Sequence, residues 1–127
     1  MKVLLTGGSG NLGHTLVPRL LDEGNTPIIL DIRAPLHLQK GAVFIEGSIL
    51  DRPKLTEIFR GCDCIVHIAA WHGIHEDRGE KNPHDFFDLN VAAVPWFSFQ
   101  REIVDRAVLS LKDAAVPSFL IEFLFTR

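Results

Sequence analysis

Apolar positions along the chain alternate between two rhythms. Val3-Leu4-Leu5 is a short apolar run that ends at a glycine cluster, the pattern of a strand buried on both faces of a parallel sheet. From Asn11 to Glu23 the period becomes helical, with Leu12, Leu16 and Leu20 on one stripe, Val17 and Leu21 beside it, and Gly24 as a stop. Pro27 to Ile32 predicts a second strand and Val43 to Ile45 a third. Asp51 is placed to cap a helix with Pro53 in its first turn and Leu55, Ile58 and Phe59 facing the core, ended by Gly61. Cys64 to Ala70 predicts a fourth strand, and Trp71 to Asn82 is polar, histidine-rich and loop-like. From Pro83 the pattern turns helical through Phe86, Phe87 and Val91 until Pro95. A further helix is predicted over Ser98 to Ala115, with Ile103, Val104, Ala107, Val108 and Leu111 on one face, and a fifth strand over Phe119 to Phe125. Strands alternating with helices predict an α/β fold, a doubly wound parallel sheet of about five strands in the order 3-2-1-4-5.

Length and charge narrow the function classes. The 127 residues suffice for one domain, so residues 1–127 are read as a single unit. A net charge of −3 without a basic stripe argues against a nucleic-acid partner. Glu122 interrupts the C-terminal apolar run, and the segment Met1–Leu5 is too short for a signal peptide, so neither a membrane nor secretion is expected. Cys62 and Cys64 read as two small residues at the mouth of a buried strand, because no second ligand pair accompanies them. A reduced, cytoplasmic setting follows.

The chemistry concentrates where the first strand meets the first helix, at Thr6-Gly7-Gly8-Ser9-Gly10-Asn11-Leu12-Gly13. Two glycine spacings overlap: Gly8, Gly10 and Gly13 form G-x-G-x-x-G, and Gly7, Gly10 and Gly13 form G-x-x-G-x-x-G. A pyrophosphate must approach the backbone closely, which side chains obstruct, and the N–H groups and positive dipole of a helix start then face it. The second strand supplies Asp31, eighteen positions past Gly13, where a carboxylate accepts hydrogen bonds from the adenosine ribose hydroxyls and repels a 2′-phosphate. These residues predict a Rossmann-type dinucleotide site with NAD, rather than NADP, as cofactor. Arg33, two residues further on, can pair with a 2′-phosphate or stack on adenine.

In combination these residues resemble the extended short-chain dehydrogenases/reductases, the NAD-dependent epimerase/dehydratase family, which mostly acts on nucleotide sugars. The glycine loop resembles the family signature, Gly47-Ser48-Ile49-Leu50-Asp51 resembles its Gly-Asp-x-x-Asp stretch, and Val66-His67-Ile68-Ala69-Ala70 its fourth strand. Asn82-Pro83 and Asn90-Val91 also fall into place, and the resemblance spans about residues 1 to 94. It implies that Gly7, Gly10, Asn11, Leu12, Gly13 and Asp31 hold the cofactor and that Ser48 and Ile49 lie at the adenine. It further implies that Ala69 and Ala70 line the path to the nicotinamide ribose, with Asn90 supporting that loop.

The departures from the family pattern bear on activity. Ser48 stands where the family usually has Asp, and Ala92-Ala93-Val94-Pro95-Trp96 stands where it has Gly-Thr and a short helix. The family's proton donor is a Tyr in Tyr-x-x-x-Lys, and this sequence contains no tyrosine. The resemblance therefore implies the cofactor-binding part alone, without a catalytic residue and without the nucleotide-sugar part of a full-length relative. Such a chain would bind the dinucleotide with little turnover. Two other readings stay open: a non-catalytic NAD-binding or sensing module, dimerising through Phe119–Phe125, or an atypical short reductase using His72 or His75. The His72/His75 pair is read first as part of a solvated loop, not as acid/base or metal ligands. His67 is read as a hydrogen-bonded core histidine.

Overall fold

The computed structural model of the protein describes residues 1–71, 79, 82–92 and 108–110. Strand β1 (Lys2–Thr6) leads through the glycine loop into helix α1 (Asn11–Asp22), and β2 (Thr26–Asp31) follows. An irregular segment then reaches β3 (Val43–Glu46), helix α2 (Arg52–Phe59) and β4 (Cys64–His67). Helix α3 (Pro83–Phe87) continues into a π-helical turn over Asp88–Ala92, and β5 (Val108–Ser110) closes the described order. The five strands form one parallel sheet in the order β3-β2-β1-β4-β5.

Alternation along β1 sends neighbouring side chains to opposite faces of the sheet. Leu4 joins Leu30, Ile65 and the α2 residues Leu55 and Phe59 in one buried cluster. Val3 and Leu5 join Ile29, Cys64, Val66 and the α1 residues Leu16, Val17 and Leu20 in another. The two helices thus cover opposite faces, the doubly wound arrangement that the strand–helix alternation predicts. Burial on both faces explains why β1 and β4 read as continuous apolar runs. Leu4, Leu5, Leu55, Phe59 and Ile65 are fully buried, and burying each stabilises the fold by roughly 1.5–3 kcal/mol before entropy is counted.

Local signals set most boundaries. The Asp51 carboxylate accepts from the Lys54 amide at 3.3 Å and starts α2. At α3 the Asn82 side chain accepts from the His84 and Asp85 amides while Asp85 reaches back to the Asn82 amide, a reciprocal cap that sustains a helix of only five residues.

Two elements differ from the sequence reading. Strand β4 ends at His67: the Ile68 amide still donates to Thr6 O at 3.0 Å, and Ala69 and Ala70 lie beyond the strand instead of extending it. Val108–Ser110 forms β5 beside β4, inside the stretch read as helix. A short apolar run fits both periods, and the open edge of β4 supplies the backbone partners that decide for a strand. The rest of that stretch, and Phe119–Phe125, lie outside the described residues.

Cys62 and Cys64 are free and buried, and they fall in different core clusters. The Cys62 thiol donates to the Ile58 carbonyl at 3.2 Å. This agrees with their reading as small packing residues.

Candidate functional site: a groove at the carboxyl ends of β1, β2 and β4

Parallel strands present their carboxyl ends on one side of the sheet, and a crevice opens where the strand order reverses. Here β1 is that point, flanked by β2 and β4. A groove of about 890 Å³ lies there.

Its floor is the loop Thr6–Gly13. Gly7 adopts φ +72°, and a Cβ on it would come within 2.7 Å of the Ala69 N and Cα, so the loop after β1 touches the loop after β4. A Cβ at Gly13 would lie 2.0 Å from the Gly8 carbonyl oxygen, so glycine there lets α1 pack onto its own entry loop. The Gly7 amide donates to Leu30 O at 2.8 Å and the Gly10 amide to Gly7 O at 3.1 Å, which fixes the turn. Helix α1 has no side-chain cap. Its first backbone bond runs from His14 N to Gly10 O at 2.9 Å, so the Asn11, Leu12 and Gly13 amides precede the helical ladder at its positive end.

Asp31 stands at the tip of β2. Its two carboxylate oxygens accept from the Ser9 amide at 3.1 Å and the Arg33 amide at 3.2 Å, which fixes the orientation of the group. Arg33 is exposed, lines the groove, and has no ion-pair partner among the described residues. Ser48 and Ile49 lie beyond β3, and the Ser48 hydroxyl oxygen accepts from the Leu50 amide at 3.1 Å. Ala69 and Ala70 form the wall beyond β4.

Asn90 stands behind that wall. Its Nδ2 donates to the Trp71 carbonyl at 2.9 Å and its Oδ1 accepts from the Trp71 amide at 2.8 Å, so one side chain clamps the backbone after β4. Ten of the twelve residues selected from sequence line the groove: Gly7, Gly10, Asn11, Leu12, Asp31, Arg33, Ser48, Ile49, Ala69 and Ala70. Gly13 and Asn90 sit behind it in supporting positions. Sequence reasoning missed the other ten lining residues, among them Ser9, Ile32, Leu36, Trp71 and Leu89. Ser9 lies within the quoted loop and could have been found there. Leu36, at 95% exposure, belongs to an irregular segment with no period to mark it.

His67 is 3% exposed, and its Nδ1 lies 2.6 Å from Thr6 Oγ1, the hydrogen-bonded core position expected of it. Among the described residues no group of three metal-ligating side chains assembles. His72 and His75 lie outside them. Chemically the groove offers N–H donors and a helix dipole for an anion near β1, and a fixed carboxylate for hydroxyl groups near β2.

A sequence profile of the NAD dependent epimerase/dehydratase family matches residues 3–94. The chain is 32% identical over 103 residues to a UDP-glucose 4-epimerase of Klebsiella pneumoniae, covering 72% of this chain and 73% of that protein. It is 30% identical over 103 residues to the UDP-glucose 4-epimerase of Streptococcus mutans, covering 74% of this chain but 30% of that one. Among solved structures it is similar to the Bordetella bronchiseptica enzyme WbmG in complex with NAD, with TM-score 0.68 and 28% identity over 87% of this chain and 36% of that one. The chain thus spans about a third of the length of the S. mutans and B. bronchiseptica proteins. On the profile match and the Klebsiella relative together, the chain belongs to the NAD-dependent epimerase/dehydratase family.

Proposed function

We propose that residues 1–127 form a dinucleotide-binding domain that holds NAD in preference to NADP in the groove above β1. The observation that carries this reading is the pairing of an uncapped helix start with a fixed acid: the start of α1 at Asn11 and Leu12 on one side of the groove and the Asp31 carboxylate on the other. The pyrophosphate takes the amides and the dipole. The adenosine ribose hydroxyls donate to Asp31, whose charge opposes a 2′-phosphate. Ser48 and Ile49 bound the adenine end, Ala69 and Ala70 bound the nicotinamide end, and Asn90 holds that wall. The buried Ser9 hydroxyl, which has no hydrogen-bond partner, supports a polar ligand at the loop.

When bound, the nicotinamide supplies hydride transfer. This sequence contains no tyrosine, the residue type that the resemblance assigns to the paired proton movement. The 127-residue chain therefore binds cofactor and turns over nucleotide sugars slowly or not at all. A substrate of that class belongs to the wider family, and the UDP-glucose 4-epimerase of S. mutans extends well beyond the matched part. The two free, buried cysteines support a reducing compartment such as the cytoplasm. None of the described helices is long and apolar enough to cross a membrane.

Calorimetry with NAD and NADP tests the reading. Binding of NAD with heat at micromolar to millimolar concentration is expected. Absence of binding by either dinucleotide at millimolar concentration overturns the function, and NADP binding at least tenfold tighter overturns the cofactor preference.

A further inference from the structure

We infer that Asp31 is a positioning residue for the glycine loop in addition to an acceptor for the ribose: its carboxylate braces the Ser9 amide and so sets the loop that receives the pyrophosphate. The inference rests on the dinucleotide reading and adds a second role to one of its residues.

The loop between β1 and α1 is held unevenly. Gly7 and Gly10 are tied by backbone bonds, from Gly7 N to Leu30 O at 2.8 Å and from Gly10 N to Gly7 O at 3.1 Å. Between them, the Ser9 amide donates to Asp31 Oδ2 at 3.1 Å, across a separation of 22 residues. The Ser9 side chain adds nothing, because its buried hydroxyl has no hydrogen-bond partner. The contact to Asp31 is therefore the tie that fixes the middle of the loop against β2.

Asp31 is itself anchored for this task. Its Oδ1 accepts from the Arg33 amide at 3.2 Å, and its main-chain carbonyl accepts from the Gly47 amide at 2.9 Å. One residue thus joins the loop after β1, the loop after β2 and the end of β3. The brace and the ribose do not compete. An ionised carboxylate offers about four acceptor sites, and the two backbone amides leave room for two hydroxyl donors. A bond from a backbone N–H to a charged acceptor is also among the stronger kinds. The loop is then set before ligand arrives, which lowers the ordering cost of binding.

The two roles separate experimentally when the ligand lacks the ribose hydroxyls. ADP and 2′,3′-dideoxy-ADP are titrated by calorimetry into the full chain and its Asp31→Ala and Asp31→Asn variants. Native-state amide exchange is measured on each protein without ligand. An acceptor role alone predicts that Asp31→Ala weakens ADP and leaves dideoxy-ADP unchanged. The brace predicts that Asp31→Ala weakens dideoxy-ADP as well, by about three- to tenfold, and ADP by more. Asp31→Asn retains one acceptor oxygen and is expected to fall between. In the unliganded Asp31→Ala protein the Gly8, Ser9 and Gly10 amides exchange at least tenfold faster, while Leu4 and Leu5 in β1 are unchanged. Dideoxy-ADP affinity within twofold of wild type in both variants overturns the brace and leaves the dinucleotide reading standing. Unchanged loop exchange overturns it independently of any ligand. A wild-type chain that binds neither NAD nor ADP overturns both.

Discussion

The imidazole Nδ1 of His67 lies 2.6 Å from the hydroxyl of Thr6, with both residues buried and directly opposite each other in the β1–β4 register. Each is the last residue of its strand. One step beyond Thr6, Gly7 meets the backbone of Ala69 in the loop after β4, so the pair closes the sheet beneath the crevice. A buried hydrogen bond contributes about 1 kcal/mol. Thr6→Val keeps the shape and removes this one bond of His67, so urea denaturation should show a loss of about that size. Thr6→Ser retains the hydroxyl and should lose less than the Val variant.

Gly13 gives a sharper contrast. A methyl group there would sit 2.0 Å from Gly8 O, 2.4 Å from its carbonyl carbon and 2.6 Å from its Cα, all backbone atoms that cannot swing aside. Gly13→Ala should push α1 off the loop. It should destabilise the fold by roughly 3 kcal/mol or more, by analogy with overpacking of a rigid core, and it should abolish dinucleotide binding. Gly24 follows α1 with φ +74° and nothing within 4 Å of an added Cβ. Gly24→Ala should cost only its backbone strain, about 1 kcal/mol. Thermal melts and calorimetry on the two variants check the pair.

Asn90 predicts a loss of affinity without a loss of fold. Its two bonds to the Trp71 backbone hold the wall after β4, and α3 is capped independently by Asn82 and Asp85. Asn90→Leu should weaken NAD by between about fivefold and about 150-fold in calorimetry, through two lost hydrogen bonds of about 0.5–1.5 kcal/mol each. It should change the Trp71 emission and leave the far-ultraviolet circular dichroism unchanged.

Much of this was legible in the amino-acid order because the fold and the ligand chemistry ask for the same residues. The glycine spacing, Asp31 and the Leu12/Leu16/Leu20 stripe are each demanded by local geometry, and sequence reveals local geometry directly. The order 3-2-1-4 of the first four strands followed from alternation and handedness. Val108–Ser110 was not legible, since a three-residue segment is assigned by the neighbour it pairs with and not by its own period. The same holds for Asp31. Its charge and position were visible, but its bond to the Ser9 amide exists only once β1 and β2 lie side by side.

Cys62 offers a test by pH. Burial, aided by the nearby Asp63 and Cys64 and opposed by Lys2, pushes its thiol up from 9.0 to about 11. The folded protein therefore keeps a proton that the unfolded chain releases above pH 9, so stability falls as pH rises from 9 to about 11 and is unaffected by this group below 9. Urea melts across that interval should show the decline, and Cys62→Ala should flatten it. The native thiol should also resist alkylation at pH 8 and react once urea unfolds the chain.

On the proposed reading, an acid at the tip of β2 and an uncapped helix start make one site for NAD. Isothermal titration of NAD into wild-type and Asp31→Ala protein, run beside NADP, tests it most directly. Saturable NAD binding is expected, with weaker NADP binding, and in Asp31→Ala a loss of NAD affinity of tenfold or more with the preference over NADP erased. NAD binding by the Asp31→Ala protein as tight as by the wild type, or none by either, would contradict it.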